Sequence, residues 1–352
     1  MKFENENSIK SKIKTALKIQ SDAFVSILFE FGSIRRLNKI YDPQLIIDQD
    51  LSKIQNLIAR AYRRSRGELD KFVGNLPKNI DPQFLESFID SGLSKLEVSS
   101  AIRKLRSDGV YVVPFLIPDE LVQELRLLVN SAVASPKSDS DLPKAAGIPN
   151  DSSATWWLDQ REILANQTVQ NILSDKYLVS VAQGYLESQP RLVSCTMWKS
   201  FPSARPQKTG AQWFHIDYDR VSFVKVFVYL DDVGPTNGPH VYVNGSHRKK
   251  PWKLLSGKRI SDLKVSNSFK RSCWTTVVGK SGTLFFADTR GLHKGDRVIE
   301  GTRSIFSVTY SIDNFGYQAG RKAIKSSITN ENLVRINRLF PKYLESLLIK
   351  DN

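Results

Sequence analysis

The stretch QWFHIDYDR (212–220) sets one imidazole and two carboxylates at alternate positions, His215, Asp217 and Asp219, in a chain of 352 residues with four histidines. In a strand, successive side chains point to opposite faces, so His215 and Asp217 share a side while Ile216 faces away. An imidazole nitrogen and a carboxylate oxygen then converge on one spot. Two kinds of chemistry follow: a satisfied His–Asp hydrogen bond in a core, or half of a metal site. The triplet alone leaves both open. Asp219 lies a further strand step away, about 6–7 Å. It is expected at the rim, or in a salt bridge to Arg220 or a neighbour, rather than as a ligand.

A second histidine narrows the choice. His293 sits in GTLFFADTRGLHKGDRVIEGTRSIFSVTYSI (282–312), where a strand at 283–287 leads into a loop carrying the histidine and the next strand begins at Arg303. Two imidazoles and one carboxylate that leave coordination positions open make the facial triad of non-haem iron(II) oxygenases. An arginine ten residues beyond His293 offers a planar fork to a dicarboxylate. His-x-Asp, a distant His and then this Arg are together far more specific than any one of them.

These groups need a rigid frame. Short β-branched and aromatic runs around 192–199, 222–230, 239–243, 275–278, 283–287 and 303–311 read as strands separated by turn signals, which favours a sandwich or barrel over a doubly wound sheet. Before them, Gly109 ends a helix, VYVVPF (110–115) is a strand and Pro118 opens an amphipathic helix. The polar, Pro/Gly/Ser-rich segment 134–154 is expected to be a long loop, a candidate lid. Helical spacing at Ile9, Ile13, Leu17, Phe24 and Leu28, and again at Leu51, Ile54 and Ile58, makes the first hundred residues all-helical and suits packing or homo-oligomerisation. The tail 331–350 returns to helix.

At these motifs the chain resembles the phytanoyl-CoA dioxygenase family, iron(II)- and 2-oxoglutarate-dependent oxygenases on a double-stranded β-helix. The matching segments are LRSDGVYVVPFLIPDELVQEL, QWFHIDYD, VFVYLDDVGPTNGPHVYVNGSH and GTLFFADTRGLHKG…GTRSIFSVTYS. One departure is visible, Asn244-Gly245-Ser246-His247 where the family's middle turn reads Pro-Gly-Ser-His; no iron ligand lies there. The resemblance implies an α+β fold with a jelly-roll (cupin-like) core and flanking helices. It divides the chain into a helical region 1–97, an oxygenase domain 98–320 and a helical segment 321–352. It implies His215, Asp217 and His293 as the catalytic iron(II) ligands and Arg303 as the anchor of 2-oxoglutarate, with dioxygen as the third reactant. Lys199 and Trp198 are further candidates for the co-substrate wall. The implied reaction couples decarboxylation of 2-oxoglutarate to hydroxylation of an unactivated C–H bond. A halogenase would replace the carboxylate with a small residue, which Asp217 argues against. A non-catalytic jelly-roll binder of glycan or nucleic acid is the alternative from another class, and desaturation or cyclisation the alternative within this one.

Composition sets the remaining bounds. At 41% hydrophobic and 25% charged residues the chain can bury a large core and is not of disordered composition. It has no apolar run of about 18 residues to span a membrane. MKFENENSIKSKIK lacks the apolar centre of a secretory signal. Cys195 and Cys273 read as buried free thiols of a reducing, cytoplasmic setting. A net charge of +15 suits an anionic partner or merely a soluble surface. Without a helix-turn-helix, a zinc finger or interleaved exposed aromatics, nucleic acid is not the expected anion. Lys225, Arg220, Arg248, Lys249, Arg290 and Lys294 flank the metal motifs, so a small anionic substrate is expected at the mouth. His240 and His247 are expected to hydrogen-bond within the middle turn. Trp156, Trp157 and Trp213 are expected to pack, with ATWWLD (154–159) close enough to the candidate lid to line a pocket.

Overall fold

The structure, a computed structural model, describes residues 95–136, 145–146, 155–202, 210–255, 259–315, 323–324 and 327–349, together with Ile58, Ala59 and Ala61. Helix α1 (Lys95–Asp108) ends at Gly109, whose φ of +83° is a left-handed conformation that side chains disfavour. Strand β1 (Val110–Leu116) follows, and Pro118 caps the amphipathic α2 (Asp119–Ser131), which buries Val122, Leu125 and Val129. Strands β2 (Val133–Pro136), β3 (Ala145–Ala146) and β4 (Trp156–Leu158) then lead to three short helices. These are α3 (Gln160–Ala165), α4 (Gln167–Leu173) and α5 (Lys176–Leu186), and each is capped by an acid or amide, Asp159, Asn166 and Asp175.

The rest of the frame is β5 (Arg191–Ser200), β6 (Phe223–Tyr229), β7 (His240–Val243), the helix α6 (Asp262–Ser266), β8 (Trp274–Val277), β9 (Thr283–Ala287), β10 (His293–Gly295) and β11 (Arg303–Ser311). Then come β12 (Ala323–Ile324), α7 (Glu331–Leu339) and β13 (Leu348–Ile349). One antiparallel sheet has eight strands in the order β1-β9-β6-β11-β5-β4-β2-β3, and a second has the order β10-β7-β8. From β6 onward the chain crosses between them: β7 and β8 lie in the small sheet, β9 in the large, β10 in the small and β11 in the large. That alternation is a jelly roll.

Strand β6 shows why the frame holds. Val224, Val226 and Val228 point to one face and join the core beneath the helices, with Leu125, Val179, Ala182 and Phe306. Phe227 and Tyr229 point to the other and pack between the sheets with Phe285, Ile305, Tyr242 and Val277. Both faces are covered, so the strand reads as a nearly continuous apolar run.

Several expectations change. Residues 134–136 of the expected loop belong to β2, paired with β4; most of the remainder to 154 lies outside the described residues. So does the helical N-terminal region, apart from residues 95–97, which begin α1, and Ile58, Ala59 and Ala61, which are helical and buried with Phe214, Ile216 and Leu292. The tail helix stops at Leu339 because Pro341 cannot continue it, and Phe340 before it is already non-helical. Tyr343, Leu344 and Leu347 beyond it still enter the core with Leu333 and Ile336. Among the described residues no helix is long and apolar enough to cross a membrane.

Gly109 offers a test of this frame. A Cβ there would collide with the buried Tyr242 hydroxyl and the His247 ring, in addition to the left-handed strain. Gly109→Ala is expected to destabilise the fold by about 2–5 kcal/mol, measured as a drop in the denaturant midpoint. An unchanged midpoint would show that the helix-to-strand junction is not held as described.

Candidate active site

The His-x-Asp segment is not a strand. Phe214 and His215 each make a single antiparallel bridge, to Ile260 and to His293. His215 N–H donates to the His293 carbonyl at 2.9 Å, the His215 carbonyl accepts from His293 N–H at 3.1 Å, and Asp217 N–H donates to the Thr289 carbonyl at 2.9 Å. These bonds keep the backbone extended, so His215 and Asp217 still share a side, and they lay the segment directly along residues 289–293. His293 in turn opens the short strand β10, opposite Tyr242 on β7, rather than lying in a loop. Further support comes from the middle turn, where Ser246 Oγ accepts from Leu292 N–H at 2.7 Å and Val243 N–H donates to the Leu292 carbonyl at 2.9 Å. Nothing in the residue pattern pointed to that task for Ser246.

His215, Asp217 and His293 come together so that one ligand atom from each lies within 4.8 Å of the others. His215 Nε2 is 3.7 Å from Asp217 Oδ1, and His293 Nε2 is 3.5 Å from Asp217 Oδ2. The two rings meet at 4.2 Å between centroids. Each histidine points Nδ1 at a carbonyl, His215 at Trp213 (2.9 Å) and His293 at Gly291 (3.0 Å). A carbonyl only accepts, so Nδ1 carries the proton and Nε2 presents its lone pair to the centre. Burial lowers both histidines, His215 to about 3 with the His293 charge adding to the effect, so both rings are neutral. Burial would raise Asp217, but Lys225, His293 and His215 outweigh it and hold the carboxylate well below its usual range. Two neutral Nε2 donors and one ionised carboxylate are a donor set that fits iron(II).

Arg303 is 8% exposed, and its Nε has no hydrogen-bond partner among the described residues. Its guanidinium lies over Gly295, where a Cβ would come within 3.3 Å of both terminal nitrogens. Gly295 pairs with His240 on β7. His240 is on the strand rather than in the turn, packed against Phe227 and Phe285, and among the described residues its buried Nε2 has no hydrogen-bond partner. His293, His240 and Gly295 thus face the interior of the jelly roll, with Arg303 opposite Gly295. His247 does hydrogen-bond, through Nε2 to the Arg106 carbonyl at 3.3 Å.

Residues 105–299, more than half of the chain, match the sequence model of the phytanoyl-CoA dioxygenase (PhyH) family. The chain belongs to this family. It is an enzyme of the iron(II)- and 2-oxoglutarate-dependent oxygenase class. A comparison with curated proteins found no match. Similar solved structures include the epimerase SnoN of nogalamycin biosynthesis, 17% identical with a TM-score of 0.44 over 62% of this chain and 84% of that one. HygX from Streptomyces hygroscopicus, solved with nickel and 2-oxoglutarate, is 18% identical with a TM-score of 0.45 over 62% of this chain and 87% of that one. AviO1 from Streptomyces viridochromogenes Tue57 is 17% identical with a TM-score of 0.41 over 64% of this chain and 100% of that one.

In this dioxygenase-family protein the other candidates fall in different places. Trp198 points between the sheets, stacked on Trp157 at 4.7 Å and edge-on to Phe227. Lys199 does not share that side. Alternation along β5 puts it on the opposite face, where its ammonium lies over the Phe201 ring, so it is not part of the wall near Arg303. The cations expected to make a positive mouth are largely neutralised within the protein. Lys225 bonds to Asp217 and Asp219, Lys294 to Asp262 and Asp296, and Arg290 to Asp288. Asp219 is therefore in an ion pair with Lys225, and the buried Arg220 is also attracted to it. Arg248 is bonded to the Ser107 carbonyl.

Proposed function

We propose that His215, Asp217 and His293 hold one iron(II) ion, that Arg303 anchors the distal carboxylate of 2-oxoglutarate, and that the enzyme hydroxylates an unactivated C–H bond of a small molecule. The observation that carries this is the convergence of three ligand-ready groups facing the same interior as a buried arginine whose Nε has no partner. Iron(II) with 2-oxoglutarate and dioxygen would supply the oxidising power for such a bond. The chain's own residues do the rest. Nδ1 bonds to Trp213 and Gly291 fix the two imidazoles as neutral donors. Arg303 provides a planar fork for a carboxylate. Phe227 and Phe285 line the interior with apolar surface that keeps water from the reacting carbon.

An anionic substrate remains part of the proposal on the net charge of +15, although the local cations around the motifs are mostly paired. Free Cys195 and Cys273 suit a reducing, cytoplasmic setting.

The test is anaerobic reconstitution with iron(II), followed by succinate formation on adding 2-oxoglutarate and air. Asp217→Gly is expected to reduce succinate formation by more than about 100-fold, beyond the roughly 10–100-fold usual for a residue that only supports a ligand. Parental activity in that variant would move the ligand to another carboxylate, first of all Asp219.

A further inference from the structure

Strand β6 turns Phe223, Lys225, Phe227 and Tyr229 to one side and Val224, Val226 and Val228 to the other. An ammonium among aromatic residues on an inward face is out of pattern. Its side chain is 18% exposed, and its Nζ lies 2.7 Å from Asp217 Oδ2 and 3.1 Å from Asp219 Oδ2. The metal assignment uses neither Lys225 nor Asp219.

We propose that Lys225 is a resident counter-cation that sets the affinity of the centre for metal, with Asp219 regulating how hard it holds Asp217. The proposal rests on His215, Asp217 and His293 being the ligands. With both imidazoles neutral, Asp217, Asp219 and Lys225 together carry −1, and the buried Arg220 offsets part of the Asp219 charge. Without Lys225 the two carboxylates would keep only Arg220, on the Asp219 side, to balance them, which is costly where little solvent screens them. The ammonium therefore stabilises the metal-free fold.

The same charge works against the metal. It holds Oδ2 of Asp217 at 2.7 Å, so an incoming ion would share that carboxylate with the ammonium. A cation in contact with a donor carboxylate weakens it as a base, typically by about one to three orders of magnitude in proton affinity. It also repels a divalent ion at short range. Asp219 moderates both effects, because it shares the ammonium and adds a negative charge beside the centre. Lys225 is thus a positioning residue, and the two members of its ion pair have opposite effects on metal binding.

The experiment measures manganese(II), a redox-stable stand-in for iron(II), against the full-length protein and its variants Lys225→Met and Asp219→Asn. Dissociation constants come from competition with a chromophoric chelator, and thermal midpoints are taken with and without manganese. Lys225→Met is expected to melt lower when metal-free yet bind manganese about tenfold or more tightly, so that its metal-induced rise in midpoint exceeds the parent's. Asp219→Asn is expected to bind manganese about tenfold or more weakly. Equal affinity in parent and Lys225→Met, or shifts of the same sign in the two variants, would overturn the proposal and leave Lys225 a structural ion pair. Should Lys225→Met fail to fold, an unchanged constant in Asp219→Asn is enough to overturn it. A parent protein that takes up no manganese, or a His293→Ala variant that keeps it, would instead overturn the ligand assignment, so the two failures are distinguishable.

Discussion

His293→Ala is expected to give a folded protein that no longer holds stoichiometric iron and forms no measurable succinate. The fold should survive because the bonds that place residue 293 are made by its backbone. Its N–H and carbonyl exchange bonds with His215, and Val243 secures the preceding Leu292; alanine keeps all of these. What is lost is the Nε2 donor 3.5 Å from Asp217 Oδ2, with the Nδ1 bond to Gly291 that orients it. A centre with three protein donors does not retain iron(II) well on two. The loss should exceed the 10–100-fold typical of removing a supporting residue. Iron content after gel filtration and cooperative melting by circular dichroism check the two halves of the statement separately. Near-stoichiometric iron in a well-folded His293→Ala protein would remove the histidine from the centre. His240→Phe is the matched control: the ring lies 5.5 Å from that of His293 but makes no part of the triad, so iron content should be retained.

What could be read from the residues, and what could not, follows from the range of the forces involved. The strands of the jelly roll were legible because both faces of β6 and β9 are buried, so their apolar runs are nearly continuous, broken within β6 only by Lys225. The His-x-Asp spacing was legible as well, but as alternation in a strand. The segment is in fact an extended stretch held by bridges to residues 260 and 293, partners far away in sequence. Helices α3, α4 and α5 were missed although Asp159, Asn166 and Asp175 each mark an N-terminus. With 6, 7 and 11 residues they are too short for a clear period, and α5 is buried nearly all round, which hides its amphipathic stripe. Charge was the least legible property. Lys225, Lys294 and Arg290 looked like a basic mouth because their carboxylate partners could be assigned only with the fold in hand. Lys225 did leave a signal, an ammonium in register with inward-facing aromatic residues.

Arg303→Lys is expected to raise the KM for 2-oxoglutarate by about 30–100-fold while changing the rate at saturating co-substrate and the iron content little. The residue is 8% exposed, its guanidinium lies over Gly295 and its Nε has no partner among the described residues, an arrangement that an incoming anion would complete. Burial already lowers its pKa, the sign of a charge held at a desolvation cost. Lysine keeps that charge but replaces a planar two-pronged donor with a point charge on a more flexible stem. Removing one member of a buried, hydrogen-bonded charge pair costs roughly 2–5 kcal/mol. Lysine should lose the lower part of that range, and Arg303→Met most of it, about 100–1000-fold or more in KM. The order Arg, Lys, Met is therefore part of the prediction. Gly295→Ala should move the same constant in the same direction, because its new methyl group would press on both terminal nitrogens of Arg303 without touching its charge. An apparent affinity for 2-oxoglutarate indifferent to Arg303→Lys and Arg303→Met would place the dicarboxylate elsewhere. A fall in kcat with KM unchanged would mean that the arginine acts on a later step than binding.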